Sequence, residues 1–327
     1  MFTSLYSPAL ADLVAPQRVR TSFLQRLPLH DRYFRALAPL YPAAFERFDL
    51  AAFDTVVSST TAWAKGVITR PDATHVCYIN TVSRFAFNYE RYVGGFGLAR
   101  LAAPLVAGLV AWDKRAAARP SAFVANSHNV ARRVQTYYGR DAYVLHCPVD
   151  VGRFSVGPGC GDYFIVASRL LAYKRIDLAI EAANLARVPL YVAGAGPAEG
   201  ALRAKAAGTT TTMLGYVDDA QLNLLVGNAL AAILPGEEDF GLVPLEAAAA
   251  GRPTIAYRGG GALETIIEGE TGAFFDDATP ASLAAVLRTF DSRVYAADRL
   301  RAHAETFAPD RFIARLRAII DEVRTAR

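Results

Sequence analysis

From residue 163 onward, short apolar runs alternate with helical stretches at a regular interval. The runs Tyr163–Ser168, Pro189–Gly194, Thr211–Gly215, Ala229–Leu234 and Thr254–Tyr257 are strand-like. They are followed in turn by the helical patterns Lys174–Leu185, Ala198–Ala206, Asp219–Val226, Leu242–Ala250 and Ala262–Glu268. Strand–helix alternation of this period predicts a doubly wound parallel sheet, because each helix must carry the chain back before the next parallel strand can start. Three further helices are expected within Pro280–Arg327. The first half is patterned more loosely. Asp54–Ser59, His75–Ile79, Ala122–Asn126 and Tyr143–Cys147 read as strands, and Phe96–Arg119 and Ser127–Tyr138 as helices, the latter capped by Asn126 or Ser127. Phe2–Tyr6 reads as a short strand, and Gly157-Pro158-Gly159-Cys160-Gly161 has the composition of a linker.

One turn of the second half concentrates the chemistry. The run Ala229–Leu234 is closed by Pro235 and leads through Gly236-Glu237-Glu238-Asp239-Phe240-Gly241 into a helical stretch beginning near Leu242. Open α/β sheets bind ligands at such turns. Glu238 sits in the loop and Glu246 in the helix, eight residues on; eight helical residues would rise ~12 Å. The N–H groups of Gly241, Leu242 and Val243 open that helix and form a seat for phosphate. Taken alone, the same two glutamates are equally a solvated loop acid and a helix-surface residue.

Several stretches fall in one order over some 120 residues: Ser168-Arg169-Leu170-Leu171-Ala172-Tyr173-Lys174-Arg175-Ile176-Asp177, Gly194-Ala195-Gly196-Pro197, Pro235 to Glu246, and Arg258-Gly259-Gly260-Gly261-Ala262-Leu263-Glu264-Thr265. Together they resemble family 4 of the retaining glycosyltransferases, in a bacterial mannosyltransferase-like branch, with Glu238 and Glu246 in its Glu-x7-Glu motif. The resemblance implies the GT-B fold, two Rossmann-like parallel-sheet α/β domains facing a cleft. It implies an acceptor-side domain over 1–155, a nucleotide-sugar domain over 156–305, and a final segment, 306–327, bracing the first domain. The family's first strand and glycine-rich turn normally precede a segment like Phe2–Pro8, so the first domain is expected to lack a central strand. Either the start codon is misassigned, or a second copy or partner chain covers the gap, or the domain is rebuilt.

Roles follow by the same resemblance. Arg169 and Lys174 would clamp the leaving diphosphate, Arg as a fork and Lys as a point charge. Glu238 would hold the sugar hydroxyls and Glu246 the ribose, over a separation comparable with the reach of a nucleotide sugar. Asn80 stands where the family commonly has a histidine near the donor sugar; it hydrogen-bonds but carries no charge. Tyr216 and Val217 would contact the base. Arg258 with Gly259–Gly261 is either a further anion seat or a tight turn. The donor is expected to be GDP- or UDP-linked and to need no separate cofactor. No Asp-x-Asp pair offers a metal clamp, so metal-independent transfer of a hexose (mannose first) to a glycan or lipid-linked acceptor is expected. The rival is a nucleotide-binding, catalytically impaired GT-B subunit working with a partner.

A net charge of +4 suits an anionic ligand or membrane surface and is too small to argue for nucleic acid. Three scattered cysteines (Cys77, Cys147 and Cys160) suggest neither a disulfide framework nor a metal site, which fits a cytoplasmic setting. Leu101–Trp112 is too short to span a bilayer and is expected to be a core helix. Within Arg18–Phe48, arginines interleave with Phe23, Tyr33, Phe34, Tyr41 and Phe45. That pattern fits an amphipathic helix pair packed on its sheet, or a peripheral surface for anionic lipid. His75 and His128 read as structural.

Overall fold

Every pairing within the sheets is parallel, as the alternation of strand and helix requires. The computed structural model describes residues 1–28, 36–83, 99–159 and 161–326, and the side chains of these apart from 99–103. Arg32, Tyr33, Phe34, Arg35, Cys160 and the 96–98 portion of the expected long helix lie outside the described residues. The chain divides into two units. The first comprises Met1–Asn126, Val130–Leu145 and Arg317–Arg327; the second comprises Ser127–Asn129 and His146–Leu316.

In the first unit, β1 (Phe2–Thr3) pairs with β2 (Arg20–Thr21), and a helix, α1 (Tyr41–Glu46), follows. A four-stranded sheet runs in the order β3 (Thr55–Thr60), β4 (Thr74–Ile79), β5 (Ala122–Ala125), β6 (Ala142–Val144). The helix α2 (Ala99–Ala116) precedes β5, and α3 (His128–Tyr138) runs between β5 and β6. Within the described part of the aromatic stretch, the chain makes short 3₁₀ turns (Phe23–Arg26 and Ala38–Leu40) and α1, with Pro28, Pro39 and Pro42 placed at or beside their ends. Its side chains serve a core: Leu24 is fully buried, Tyr41 and Ala44 are buried, and Phe23, Leu27 and Phe45 pack partly against them. Among the described residues nearby, Leu10, Leu13 and Leu40 are exposed. In α2 the expected core burial is reached at Trp112 and Ala116, whereas Leu105 is 50% exposed. Apolar composition biases a helix toward burial without enforcing it.

Two buried polar groups mark this unit. Lys65 is fully buried and pairs with Asp113 Oδ1 at 2.5 Å, while donating to Ser83 Oγ at 3.1 Å and to the Ala62 carbonyl. Tyr138 donates its hydroxyl to Asp113 Oδ2 at 2.7 Å. Burial pushes the Lys65 ammonium below its ordinary value, and Asp113 opposes that shift. The second group is His75, whose Nε2 meets Ser58 Oγ at 2.8 Å. Burial holds its pKa down at about 4, with Arg119 adding to the effect. The folded chain therefore keeps the imidazole neutral, and the unfolded chain binds its proton first as pH falls. Stability from this group is complete above about pH 6.5 and is lost between there and about pH 4, by about 3 kcal/mol. His75→Gln should flatten the pH dependence of the urea midpoint across that window; an unchanged profile would refute the assignment.

In the second unit the strands are β7 (Phe164–Ala167), β8 (Leu190–Ala193), β9 (Thr211–Gly215), β10 (Ala231–Leu234), β11 (Thr254–Tyr257) and β12 (Gly272–Phe275). The helices are α4 (Ile176–Ala186), α5 (Glu199–Ala206), α6 (Asp219–Asn228), α7 (Val243–Ala249), α8 (Ala262–Thr265), α9 (Pro280–Thr289) and α10 (Ala297–Glu305); α11 (Pro309–Thr325) crosses the residue boundary between the units. Sequence reading missed only β12 among these strands. One core packs Leu178, Ile180, Leu202 and Leu283 against the sheet, and a separate one packs Leu245, Ala248, Leu300 and Ala304. All four residues of β10 are buried, the pattern of a strand covered on both faces. The sheet order is β12-β11-β10-β7-β8-β9. The chain thus builds outward from β7 to β9, returns across β7 to β10, and builds outward the other way.

Candidate functional site

That return defines a switch point between β7 and β10, the place where loops leave a parallel sheet in opposite directions and open a crevice beyond its carboxyl edge. The loop after β7 carries Arg169 and Lys174, and the loop after β10 carries Glu238. Lys174 lies in a 3₁₀ turn, Ala172–Lys174, ahead of α4, not within the helix as its sequence suggested. Arg175, at φ +54°, ends that turn. The two loops approach closely because Gly236 has no side chain: a Cβ there would lie 2.9 Å from the carbonyl oxygens of both Tyr173 and Lys174.

The approach brings Lys174 Nζ against Glu238 Oε1 as an ion pair. It is a charge contact with poor hydrogen-bond alignment, since Oε1 is buried and has no donor of acceptable angle. The side chains are 20% and 11% exposed, so the pair is sheltered yet open to a ligand. Arg169 leaves the same strand end as Lys174, is exposed, and makes no ion pair with a described residue.

The Glu238–Glu246 spacing is not the continuous helix of the ~12 Å expectation. Glu238 to Gly241 is a turn, Gly241 adopts φ +85°, and α7 begins only at Val243. Glu246 falls in the first turn of α7. Its carboxylate meets no hydrogen-bond or ion-pair partner among the described residues, and burial pushes its pKa up; Asp219 adds to the shift, while Arg153 and Lys174 oppose it. A carboxyl sheltered in this way keeps its acceptor capacity for a ligand hydroxyl. Leu242 accepts the first α7 bonds, from Leu245 N and Glu246 N, both at 2.9 Å. The N–H groups of Gly241, Leu242 and Val243 therefore precede the helical ladder. Pro244 follows them, with no N–H to offer.

The remaining expected residues are placed as follows. Tyr216 and Val217 follow β9; Tyr216 is 81% exposed and Val217 half-buried. Asn80 lies in the first unit at the carboxyl end of β4, where its Nδ2 donates to Ser59 Oγ at 3.3 Å and Thr60 O at 3.4 Å. Arg258 is committed elsewhere: it donates to both carboxylate oxygens of Glu268, at 2.6 and 2.9 Å, and to Asp276 Oδ1 at 2.5 Å. That arrangement favours the turn over the anion seat. Sequence reading gave no role to Glu264 or His146, although Glu264 lay within a quoted stretch.

Residues 157–305 match the family model described as "Glycosyl transferases group 1", under half of the 327-residue chain; that stretch is a glycosyl transferase group 1 domain. Among characterised relatives, a glycogen synthase of Mycobacterium tuberculosis is 40% identical over 102 residues, 31% of this chain and 25% of its own length. A D-inositol 3-phosphate glycosyltransferase of Geodermatophilus obscurus is 29% identical over 235 residues, covering 62% of this chain and 52% of the relative. A GDP-mannose-dependent α-(1-6)-phosphatidylinositol dimannoside mannosyltransferase of M. tuberculosis is 35% identical over 135 residues, 40% of this chain and 35% of the relative. The chain thus spans about half or less of each of these relatives.

Among solved structures, the sucrose-phosphate synthase of Thermosynechococcus elongatus superposes with a TM-score of 0.70 at 17% identity, over 94% of this chain and 84% of its own. Anabaena HepE in complex with UDP and glucose superposes with a TM-score of 0.65 at 17% identity, over 97% and 90%. These likenesses bear out the fold class expected from sequence, a parallel-sheet α/β chain of the GT-B type.

Proposed function

We propose that this chain is a retaining, metal-independent glycosyltransferase that moves a hexose from a GDP- or UDP-linked donor to a glycan or lipid-linked acceptor. Mannose is the first candidate, supported by the GDP-mannose-dependent relative. The observation that carries the reading is the meeting of Lys174 with Glu238 at the switch point of the second sheet, with exposed Arg169 on the same loop as Lys174. A diphosphate leaving group develops negative charge as the glycosidic bond breaks. Fixed cations aimed at that charge stabilise the transition state more than the ground state. In this reading Arg169 and Lys174 take the diphosphate, with the N–H groups of Gly241, Leu242 and Val243 assisting. Glu238, released from Lys174 by the incoming phosphate, accepts hydroxyls of the sugar. Glu246 takes the ribose hydroxyls, and Tyr216 and Val217 border the base. The acceptor attacks from the face the leaving group departs, and the departing phosphate oxygen takes the acceptor's proton. Configuration is thereby retained without a covalent sugar–carboxylate intermediate.

Thermal shift with a panel of nucleoside diphosphates, followed by donor turnover, tests this. One diphosphate should stabilise the chain, and its sugar conjugate should be consumed when acceptor is supplied. Glu246→Ala should weaken that diphosphate by roughly 10-fold, as for loss of one or two hydrogen bonds to a charged group. Absence of stabilisation by every nucleotide would refute the proposal.

A further inference from the structure

The loop that carries Glu238 is held by a ring of contacts that closes on Glu264, and every member belongs to the second unit. Glu264 sits in the short helix α8 with its side chain 12% exposed. Its Oε1 accepts from Asn129 N at 3.0 Å, and its Oε2 accepts from His128 N at 2.7 Å and from His146 Nε2 at 3.0 Å. Burial opposes ionisation of this carboxyl, but the three donors outweigh it and hold the pKa below the ordinary range.

The segments that Glu264 ties together reach the 237–241 loop. The His146 ring stacks on Phe240 at 5.4 Å and 20°. Ser127, beside the two N–H donors, gives its hydroxyl to the Asp239 carbonyl at 2.6 Å. Three residues before Glu264, Gly261 N donates to the Glu238 carbonyl at 2.9 Å. Gly261 is pressed so close that a Cβ would lie 2.3 Å from Phe240 Cα. Three consecutive residues, Glu238, Asp239 and Phe240, are thus fastened from one side by segments that a single carboxylate ties together.

The geometry points to Glu264 as a positioning residue for Glu238, acting through His146, Ser127 and the α8 turn; this rests on the donor-binding reading for its consequence in transfer. A loop of this length without such fastening samples several backbone conformations, and a carboxylate displaced by 1 Å loses most of its value in transfer. Glu264→Gln keeps the size of the side chain and replaces one acceptor oxygen with a donor, which cannot satisfy all three partners.

Hydrogen exchange and kinetics test this together. In Glu264→Gln the amides of residues 237–241 should exchange at least ~10-fold faster, while β7 and β8 keep wild-type protection. The affinity for the stabilising nucleoside diphosphate should stay within about 3-fold, because Arg169, Lys174 and Glu246 lie outside the ring, and kcat should fall at least ~10-fold. Ser127→Ala, which removes one link only, should move both readouts in the same direction by less. Wild-type exchange in the loop of both variants, or an equal loss of protection throughout the unit, would overturn the assignment. A wild-type chain that binds no nucleotide and transfers nothing would refute the donor-binding reading instead, and the exchange data would still decide whether Glu264 fastens the loop.

Discussion

Replacing Glu238 or Lys174 with alanine is expected to lower transfer by ~10²–10³-fold or more while far-ultraviolet circular dichroism stays unchanged. The two side chains touch, so the effects should not be independent. If Lys174 stabilises the leaving diphosphate and Glu238 the sugar within one transition state, the double variant should be little slower than the worse single one. Lys174→Ala should also weaken nucleoside diphosphate binding, because the ammonium is a charge partner in the ground state as well. Glu238→Ala should leave that affinity intact or raise it, since removing the carboxylate frees Lys174 for phosphate. Full transfer activity in either single variant would remove the mechanism proposed for this site.

A loss of stability is expected from Asp113→Ala in the first unit. Lys65 is fully buried, and its ammonium would be left without its only carboxylate among the described residues, a change that typically costs about 3–5 kcal/mol. Ser83 Oγ and the Ala62 carbonyl would remain as acceptors but carry no charge to balance it. In a chain with two units of this size the midpoint of the affected transition should fall by roughly 10 °C. Lys65→Met combined with Asp113→Leu should recover most of the loss, because two apolar side chains of similar volume need no charge balance. Calorimetry of the wild type and both variants decides it. A single variant within 1 kcal/mol of wild type would mean that water or another group replaces the carboxylate.

Much of the second unit was legible because its signals are local. The apolar run of β10 and the turn into α7 depend on residues within a few positions of one another. The Glu-x7-Glu spacing is equally a short-range property. Reading failed where local signals were weak or ambiguous. The strand β12, Gly272–Phe275, is a short edge strand after a glycine-rich turn, and it carries little periodicity. The interleaved arginines and aromatics of residues 18–48 left two readings open, a packed amphipathic pair or a lipid-facing surface, and the burial of Leu24 and Tyr41 in a core favours packing. Composition does not say which neighbour covers a side chain.

The sequence alone determined that strands and helices alternate, that the sheet must be parallel, and that Arg169, Lys174, Glu238 and Glu246 leave strand ends. The periodicity of buried side chains and the right-handedness of crossovers are enough for that. Only the tertiary structure decided the strand order, which places β7 beside β10 and so sets Lys174 against Glu238 across a gap of more than 60 residues. The same holds for Lys65 and Asp113, 48 residues apart, and for Glu264 and Asn129, 135 apart. Such pairs form because packing brings distant segments together in a low-dielectric interior, where an unpaired charge is too costly to leave. Sequence spacing carries no record of that distance.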